Sequence, residues 1–343
     1  MMSALRVIDA GTVPALRSQA LWHGIASAMG ADDQPVLSFC RPAQAYVGIG
    51  YHRRLDEVDL EACRAMGLPV FRRQIGGGPV YLDSDQHFFQ VTLPLRRAPA
   101  GVARLYETLL APAVTAFRAL GLDARLDGLN DVAISERKVS GTGAGQIGDA
   151  ATVVGNVIFR FPHERMAQVL ALPSEETRAE YLRLMRRHVS SLEQEGAGHV
   201  THEAAKAALR DAYAAALGLE PCASELRAAE VAQVERWERR IADPEWLAGP
   251  DLPRRAARQV KVQANVWVID GAHDGLRVMA SIAHGVVQRA EVWAPHFNGA
   301  AARIEEALTG ADADVETLAT ALAPFGDDGD RVLCALEPGL TLR

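Results

Sequence analysis

Apolar residues recur at two spacings along the first 220 positions. Residues 15–29 and 101–120 carry them three to four positions apart, which predicts amphipathic helices. Shorter segments alternate between apolar and polar residues or are apolar throughout, which predicts strands. We expect further helices at 56–66, 163–171, 175–190 and 201–217, and strands at 36–50 (two, joined by a turn), 69–73, 87–95, 131–135, 138–143 and 152–161.

The pattern changes after residue 220. Residues 220–256 are charged and predicted helical, and strands return from Gln259 in the segments 260–270, 275–283 and 285–293. Two short helices, near 298–308 and 315–323, are predicted to end the chain. Short hairpins mixed with separate helices favour an α+β fold over a doubly wound one.

Composition narrows the class of protein. The formal net charge of −7 argues against a nucleic-acid partner, which usually needs a basic face. Cys40, Cys63, Cys222 and Cys334 show no metal-binding spacing. No apolar stretch approaches about 18 residues, and no signal peptide precedes the first helix. We therefore expect a cytoplasmic monomer that acts on soluble partners and has no membrane association.

One segment has the composition of an anion site. Arg72 and Arg73 end the predicted strand 69–73 and are followed, after two residues, by Gly76, Gly77 and Gly78. Glycines let backbone N–H groups approach a ligand, and an arginine is a fixed cationic donor for phosphate or carboxylate. A glycine-rich hairpin with surface arginines is the structural alternative. The segment matches neither a Walker loop nor a dinucleotide fingerprint.

A second segment places a lysine beside small residues. Asn130 and Asp131 open the strand 131–135, and Lys138 begins the returning strand, followed by Ser140, Gly141, Thr142 and Gly143. An ammonium there could stabilise charge as an acyl–phosphate bond forms, and Asp131 could bind Mg²⁺. A solvated lysine at a hairpin tip and an ordinary turn aspartate are the alternatives.

The two segments together resemble the lipoate-protein ligase A family. RRQIGGGPVYLD and NDVAISERKVSGTGAG occur in the family's order, the likeness extends over most of residues 1–220, and the tail resembles the family's small accessory domain. The resemblance implies an α+β fold with a mixed sheet and flanking helices of the biotin/lipoate ligase type. We predict a catalytic domain at 1–220, a helical linker at 221–245 and a small α+β accessory domain at 246–343.

The resemblance also implies roles for individual residues. Lys138 would contact the acyl carboxylate and the α-phosphate of ATP, and Arg73, with Arg72 beside it, would hold phosphate. Asn130 and Asp131 would lie near the phosphate and the metal ion. The remaining residues would line the nucleotide and acyl site: Gly76, Gly77, Gly78, Pro79, Val80, Tyr81, Ser140, Gly141, Thr142 and Gly143.

This sequence departs from the family's pattern at several positions. Pro79 replaces the usual alanine after the glycines, Leu82 replaces a histidine, and Leu129 replaces an arginine. The segment 154–157, Val-Gly-Asn-Val, replaces a His-Gly-Thr strand, and the loop after Lys138 lacks the usual ending. These changes put the identity of the acyl substrate in doubt and leave the fold prediction unchanged.

The implied reaction has two steps. A lipoate carboxylate attacks the α-phosphate of ATP, with Mg²⁺ offsetting the phosphate charge, and a lysine of a lipoyl carrier protein or domain then attacks the acyl-adenylate. Octanoate is the alternative acid. An octanoyl- or lipoyltransferase of the same fold would need a cysteine nucleophile in the pocket, and neither motif contains one. A biotin ligase and a non-catalytic binder of lipoate or of its carrier are further alternatives.

Overall fold

The computed structural model describes residues 4–253, 256–295, 297 and 299–340. These residues form two compact units, one built from 4–170 and 190–252 and the other from 171–189 and 253–340. The sequence-based boundaries at 220 and 245 stay a prediction. Each unit is described separately.

In the described part of the first unit there are eleven strands and six helices of six or more residues. The strands are β1 (Ala4–Val13), β2 (Val36–Pro42), β3 (Tyr46–Gly50), β4 (Val70–Arg73), β5 (Val80–Leu82), β6 (Gln86–Pro94), β7 (Ala124–Asp127), β8 (Asp131–Ile134), β9 (Arg137–Ile147), β10 (Ala150–Ile158) and β11 (Glu220–Ala223). The helices are α1 (Ala15–Ala28), α2 (Leu60–Ala65), α3 (Val102–Ala119), α4 (His163–Gln168), α6 (His202–Leu217) and α7 (Ala228–Ile241). Short turns of helix follow at Leu55–Glu57, Leu95–Arg97 and, as α8, Pro244–Ala248.

A mixed eight-stranded sheet forms the centre of this unit, in the order β11-β1-β2-β6-β10-β9-β8-β7. β1 pairs in parallel with β2 and β11, and the other neighbours are antiparallel. A separate three-stranded sheet has the order β4-β3-β5. This architecture confirms the predicted α+β class with a mixed sheet.

Helices cover both faces of the large sheet. Along β6, Phe88 packs in a core with α1 and α7, whereas the next residue, Phe89, packs in a core with α3 and α6. Successive side chains of a strand point to opposite faces, so every side chain of a strand that is covered on both faces is buried. This explains why all nine residues of β6 are buried.

Several local predictions need correction. The cap of α2 is Asp59, whose carboxylate accepts the N–H of Ala62, and not Asp56, which lies in the preceding helical turn. The segment 260–270 is not one strand, because the chain turns at Asn265, which has a φ of 57°. The sequence interpretation also missed β1, β5, β7 and β11.

The second unit contains α5 (Glu175–His188), a four-stranded antiparallel sheet and three further helices. The sheet runs β12 (Ala257–Gln263), β13 (Val266–His273), β14 (Leu276–Ala283) and β15 (Val286–Trp293) in sequence order. The helices are α9 (Ala300–Leu308), α10 (Val315–Leu322) and α11 (Asp327–Leu340). α11 packs on β13 and β14, so the prediction that two helices end the chain is wrong.

Candidate active site

The glycine-rich segment is a loop, residues 74–79, that joins β4 to β5. Gly77 has a φ of 100°, a conformation that residues with a side chain rarely adopt. The end of β3 lies directly beneath the loop, and a side chain at Gly50 would collide with the carbonyl oxygen of Gly77. The N–H of Tyr51 donates to the carbonyl of Ile75 at 3.0 Å. The loop is therefore held in one conformation by backbone contacts.

Arg73 organises this loop from below. Its Nη2 donates to the carbonyls of Gly76 at 3.1 Å and Gly78 at 2.9 Å, and its side chain is buried. Nη1 is buried and has no hydrogen-bond partner among the residues that the structure describes. Burial lowers the pKa of the Arg73 guanidinium to about 10, so it stays charged at neutral pH. A buried cation with an unused donor is suited to an anionic ligand.

Arg72 points to a different environment, as expected for consecutive residues of a strand. Its guanidinium is fully buried and donates to five backbone carbonyls. Three of the carbonyls lie at the end of β3 and just after it, and two lie in α8; they belong to Gly50, Tyr51, Arg53, Leu247 and Ala248. These bonds give Arg72 a role in holding the chain together, and we do not retain it as a ligand-binding candidate.

Lys138 and Asp131 meet across the second motif. Nζ of Lys138 lies 2.9 Å from Oδ1 of Asp131, and the Asp131 side chain is fully buried while that of Lys138 is 20% exposed. In the register of β8 and β9, Asp131 lies opposite Gly141. A Cβ atom at Gly141 would lie 3.1 Å from Cε and 3.2 Å from Nζ of Lys138. The absence of a side chain at Gly141 therefore leaves the space that the lysine occupies.

The remaining residues of this motif shape the hairpin. Asn130 donates from its amide to the carbonyl of Thr142 at 3.0 Å, and the Thr142 hydroxyl donates to the carbonyl of Asn130 at 2.6 Å. Ser140 is fully buried, and its hydroxyl has no hydrogen-bond partner within the described part of the chain. The tight turn before Lys138 has positive φ at Ser135 and Glu136. Asn130 and Thr142 are thus hydrogen-bonded to each other and hold the open end of the hairpin together.

The two motifs pack against each other through Ile75. Cβ atoms built at Gly143 and Gly145 of β9 would each lie 2.7 Å from the side chain of Ile75, so both glycines are needed for this close approach. Tyr106 of α3 bonds to the backbone of Ala144. Burial raises the pKa of the Tyr106 hydroxyl, and this hydroxyl interacts electrostatically with both Asp131 and Arg73. The glycine loop and the lysine hairpin consequently form one site.

Pro79, Val80 and Tyr81 continue from the loop into β5. Pro79 is buried and Val80 is half-buried. The N–H of Tyr81 donates to the sulfur of Met166 at 3.2 Å, and its hydroxyl bonds to Arg165, with burial raising its pKa. Of the predicted loop residues, Gly76 and Gly77 are exposed.

His23 is a residue of this site that the sequence did not reveal. Its Nδ1 contacts the carbonyl of Gln19 at 2.6 Å, and its Nε2 accepts the N–H of Gln74 at 3.0 Å. This arrangement requires a neutral ring protonated on Nδ1. Burial lowers the pKa of His23 to about 3. A lone histidine in an apolar helix gave no signal that it would hold the start of the glycine loop.

Gln86 and Asn156 were also missed. Asn156 Oδ1 accepts the N–H of Gly141 at 2.8 Å, and its amide donates to Gln86 Oε1 at 2.7 Å. The Gln86 amide in turn donates to the carbonyl of Tyr81 at 3.1 Å. A hydrogen-bonded chain therefore joins the two motifs beneath the site.

The four cysteines differ in exposure. Burial raises the pKa of Cys40 to about 12 and that of Cys63 to about 11. Cys222 is exposed on β11, the edge strand opposite the β8–β9 side of the large sheet, and Cys334 is exposed on α11. Cys40 contacts the carbonyl of Ser18 and the amide of Gln90, and Cys222 contacts the carbonyl of Ala223; these partners lie outside both motifs.

Two features are absent from the described residues. Among them, no group of three or more His, Cys, Asp or Glu side chains could hold a metal ion. Within the same residues, no helix is long and apolar enough to span a bilayer.

Known proteins resemble the chain in both sequence and fold. A relative called lipoate-protein ligase A subunit 1, from Thermoplasma acidophilum, is 28% identical over 171 residues, which are 47% of this chain and 64% of that protein. Octanoyltransferase LipM from Kyrpidia tusciae is 26% identical over 226 residues, 58% of this chain and 82% of that protein. The chain thus spans less than two thirds of the Thermoplasma protein.

A solved structure has the same fold. The bipartite lipoate protein ligase of Thermoplasma acidophilum, from a study that includes its E2 lipoyl domain, aligns with a TM-score of 0.66 and 24% identity, covering 74% of this chain and 99% of that one. This confirms the predicted ligase-type fold. Residues 14–214 match the lipoyl protein ligase A/B catalytic domain. The match covers more than half of the chain, which therefore belongs to the lipoyl protein ligase A/B family.

Proposed function

We propose that this protein activates lipoate with ATP and transfers the lipoyl group to a lysine of a lipoyl carrier protein or domain. One observation carries the proposal. The ammonium of Lys138 is held by the buried carboxylate of Asp131, in a hairpin packed against the loop that contains the buried guanidinium of Arg73. Two fixed cations beside a glycine-rich backbone suit a reaction in which a carboxylate meets a triphosphate.

In the proposed first step, a carboxylate oxygen of the acid attacks the α-phosphorus of ATP. The P–O bond to the β-phosphate breaks, and pyrophosphate leaves with the bonding electrons. Lys138 would lie beside the new acyl–phosphate bond and stabilise the charge that develops there. Arg73 would hold phosphate with its unused Nη1.

In the proposed second step, the neutral amine of the carrier lysine attacks the acyl carbon. The C–O bond to the phosphate breaks, AMP leaves with the bonding electrons, and the nitrogen loses a proton to solvent as the amide forms. The rigid loop and hairpin would fix the mixed anhydride for this attack, and positioning alone can supply a large part of a rate enhancement. Lys138 remains close to the phosphate that leaves.

Mg²⁺ fits the carboxylate chemistry of this site. It usually binds one or two carboxylates together with phosphate oxygens and water, and Asp131 is the residue that could supply the carboxylate. Bound there, the ion would neutralise phosphate charge.

A transferase is the second candidate function, because the chain is also similar to an octanoyltransferase. Such an enzyme would need a reactive thiolate near the acyl site. Cys40 and Cys63 are buried with raised pKa values, and Cys222 lies at the opposite edge of the sheet. The ligase therefore has better support than the transferase.

Carrier acylation followed by mass spectrometry distinguishes the candidates. We expect a lipoyl domain to gain the mass of a lipoyl group when ATP, Mg²⁺ and lipoate are present, and not when ATP is omitted. A variant with all four cysteines replaced by serine keeps this activity. Transfer from an octanoyl carrier without ATP, abolished in that variant, would establish the transferase instead. Tight lipoate binding without either reaction would indicate a non-catalytic binder.

A further inference from the structure

Two buried amide side chains connect the halves of the proposed site. Starting from Tyr81 in β5, the carbonyl accepts from Gln86, Gln86 accepts from Asn156, and Asn156 accepts from the N–H of Gly141. The three distances are 3.1, 2.7 and 2.8 Å. A carbonyl at one end and an N–H at the other fix the direction of both amides.

This series of hydrogen bonds ends at Gly141, where the side chain of Lys138 crosses the hairpin. Gly141 has the Lys138 side chain over its Cα atom on one side and the Asn156 carbonyl oxygen on its N–H. A shift of Gly141 toward the lysine would force Cε and Nζ of Lys138 to move, because only a hydrogen atom fits between Cα of Gly141 and the lysine side chain. The position of Asn156 thereby limits the position of the ammonium.

The other end of the hydrogen-bonded series is the carbonyl of Tyr81, which follows the glycine segment. Tyr81 follows the loop that Arg73 organises, and its N–H is already used by the sulfur of Met166. Gln86 is 1% exposed and Asn156 is 9% exposed. Burial makes a broken link costly, since an amide without a partner loses its solvation as well as its bond.

We infer that Gln86 and Asn156 are positioning residues for the proposed adenylation: they set the distance between the glycine loop and the Lys138 hairpin without touching the substrate. The inference rests on the proposed function for its catalytic consequence.

Substitution by side chains of similar shape removes chosen hydrogen bonds from this series. Asn156→Leu removes both of its bonds, and Gln86→Met removes the glutamine's bonds to Tyr81 and Asn156, together with its bond to Asp83. Asn156→Asp keeps an acceptor for Gly141 but loses the donor to Gln86. Gln90→Met is the matched control, because Gln90 is a buried glutamine on the same face of β6 whose partners, Ser38 and Cys40, lie outside both motifs.

Two readouts do not depend on catalysis. Amide hydrogen exchange at Gly141 should be about 2- to 10-fold faster in Asn156→Leu than in the wild type, from the loss of one net hydrogen bond, and close to wild type in Asn156→Asp. The rate at which a small amine-reactive reagent modifies Lys138 should change in Asn156→Leu and Gln86→Met beyond any change in Gln90→Met. If both readouts match the control, the inference is overturned, whatever the enzyme's activity.

A third readout separates positioning from binding. Pyrophosphate release should show kcat lowered by about 10- to 100-fold in Asn156→Leu, with the KM values for ATP and lipoate changed by less than about threefold. A raised KM with unchanged kcat would mean that the pair binds substrate and would overturn the inference. If the wild type releases no acid-dependent pyrophosphate, the proposed function fails, and hydrogen exchange and Lys138 modification alone decide whether the pair holds the hairpin.

Discussion

Nζ of Lys138 lies 2.9 Å from Oδ1 of Asp131, a carboxylate that is completely buried. The buried partner fixes one end of the pair, while the lysine keeps a 20% exposed side chain through which a ligand can reach it. An exposed lysine at a hairpin tip would be mobile, and a surface ion pair would contribute little. The pairing with a buried carboxylate therefore favours a site over a solvated turn.

Replacing this carboxylate should impair catalysis more than folding. We expect Asp131→Asn to lower kcat for pyrophosphate release by about 10- to 100-fold, because Lys138 loses the charge that orients it. Steady-state kinetics with ATP and lipoate measure the effect. Glu136→Gln, in the turn of the same hairpin, is the control and should retain wild-type kcat. Equal activity of the two variants would contradict the role of Asp131.

Adding one methyl group at Gly141 should displace Lys138. The new Cβ would lie 3.1 Å from Cε and 3.2 Å from Nζ, and the lysine can yield because it is the flexible partner. Gly141→Ala should therefore fold with a nearly unchanged thermal midpoint but lose about tenfold or more in kcat. Gly30→Ala, whose Cβ would have ordinary contact with Asp33 at 3.6 Å, serves as the control. A fully active Gly141→Ala would show that the lysine's position is unimportant.

The two neighbouring arginines should respond differently to the same substitution. Arg72→Lys loses several of five bonds to backbone carbonyls and should lower the free energy of unfolding by about 2–4 kcal/mol. Arg73→Lys should raise the KM for ATP, because an ammonium cannot reproduce the donor geometry of a guanidinium. Urea denaturation and ATP titration test the pair. A KM effect confined to Arg72→Lys would reverse these assignments.

Acid should weaken the fold through His23. Burial lowers the pKa of His23 to about 3 from its usual 6.5, so between these values the unfolded chain binds a proton that the folded chain does not. The stabilisation is complete above about pH 6.5 and is lost as the pH falls toward 3. His23→Gln should therefore show a smaller fall in thermal midpoint between pH 7 and pH 4 than the wild type does. The exposed His52→Gln provides the control, and identical pH slopes for wild type and His23→Gln would refute the explanation.

Much of the framework was predictable from spacing. The helix ending before Gly121, the strand ending at Arg73 and the hairpin carrying Lys138 all follow local rules of periodicity and turn chemistry, and all are present. β11 was not predictable, because all four of its residues are exposed and only its pairing with β1 makes it a strand. α11 contains Pro338 and two glycines, residues that disfavour a helix, so the sequence did not predict it. Burial of one of its faces stabilises it.

The site was predictable in part. The sequence located both motifs but could not separate the roles of Arg72 and Arg73, although strand alternation already implied that they point in opposite directions. It gave no indication of the roles of His23, Gln86 or Asn156, since His23 bonds to Gln74 and Gln86 bonds to Asn156 across long stretches of sequence. Long-range hydrogen bonds of this kind leave no local pattern.

Pyrophosphate release from ATP and Mg²⁺, measured with lipoate and then octanoate for the wild type and Lys138→Ala, tests the central claim most directly. We expect release that requires the acid, with lipoate preferred, and a loss of at least about a hundredfold in the variant. Release that no acid stimulates, or that persists unchanged in Lys138→Ala, would contradict the assignment of this site as an acyl-adenylating centre.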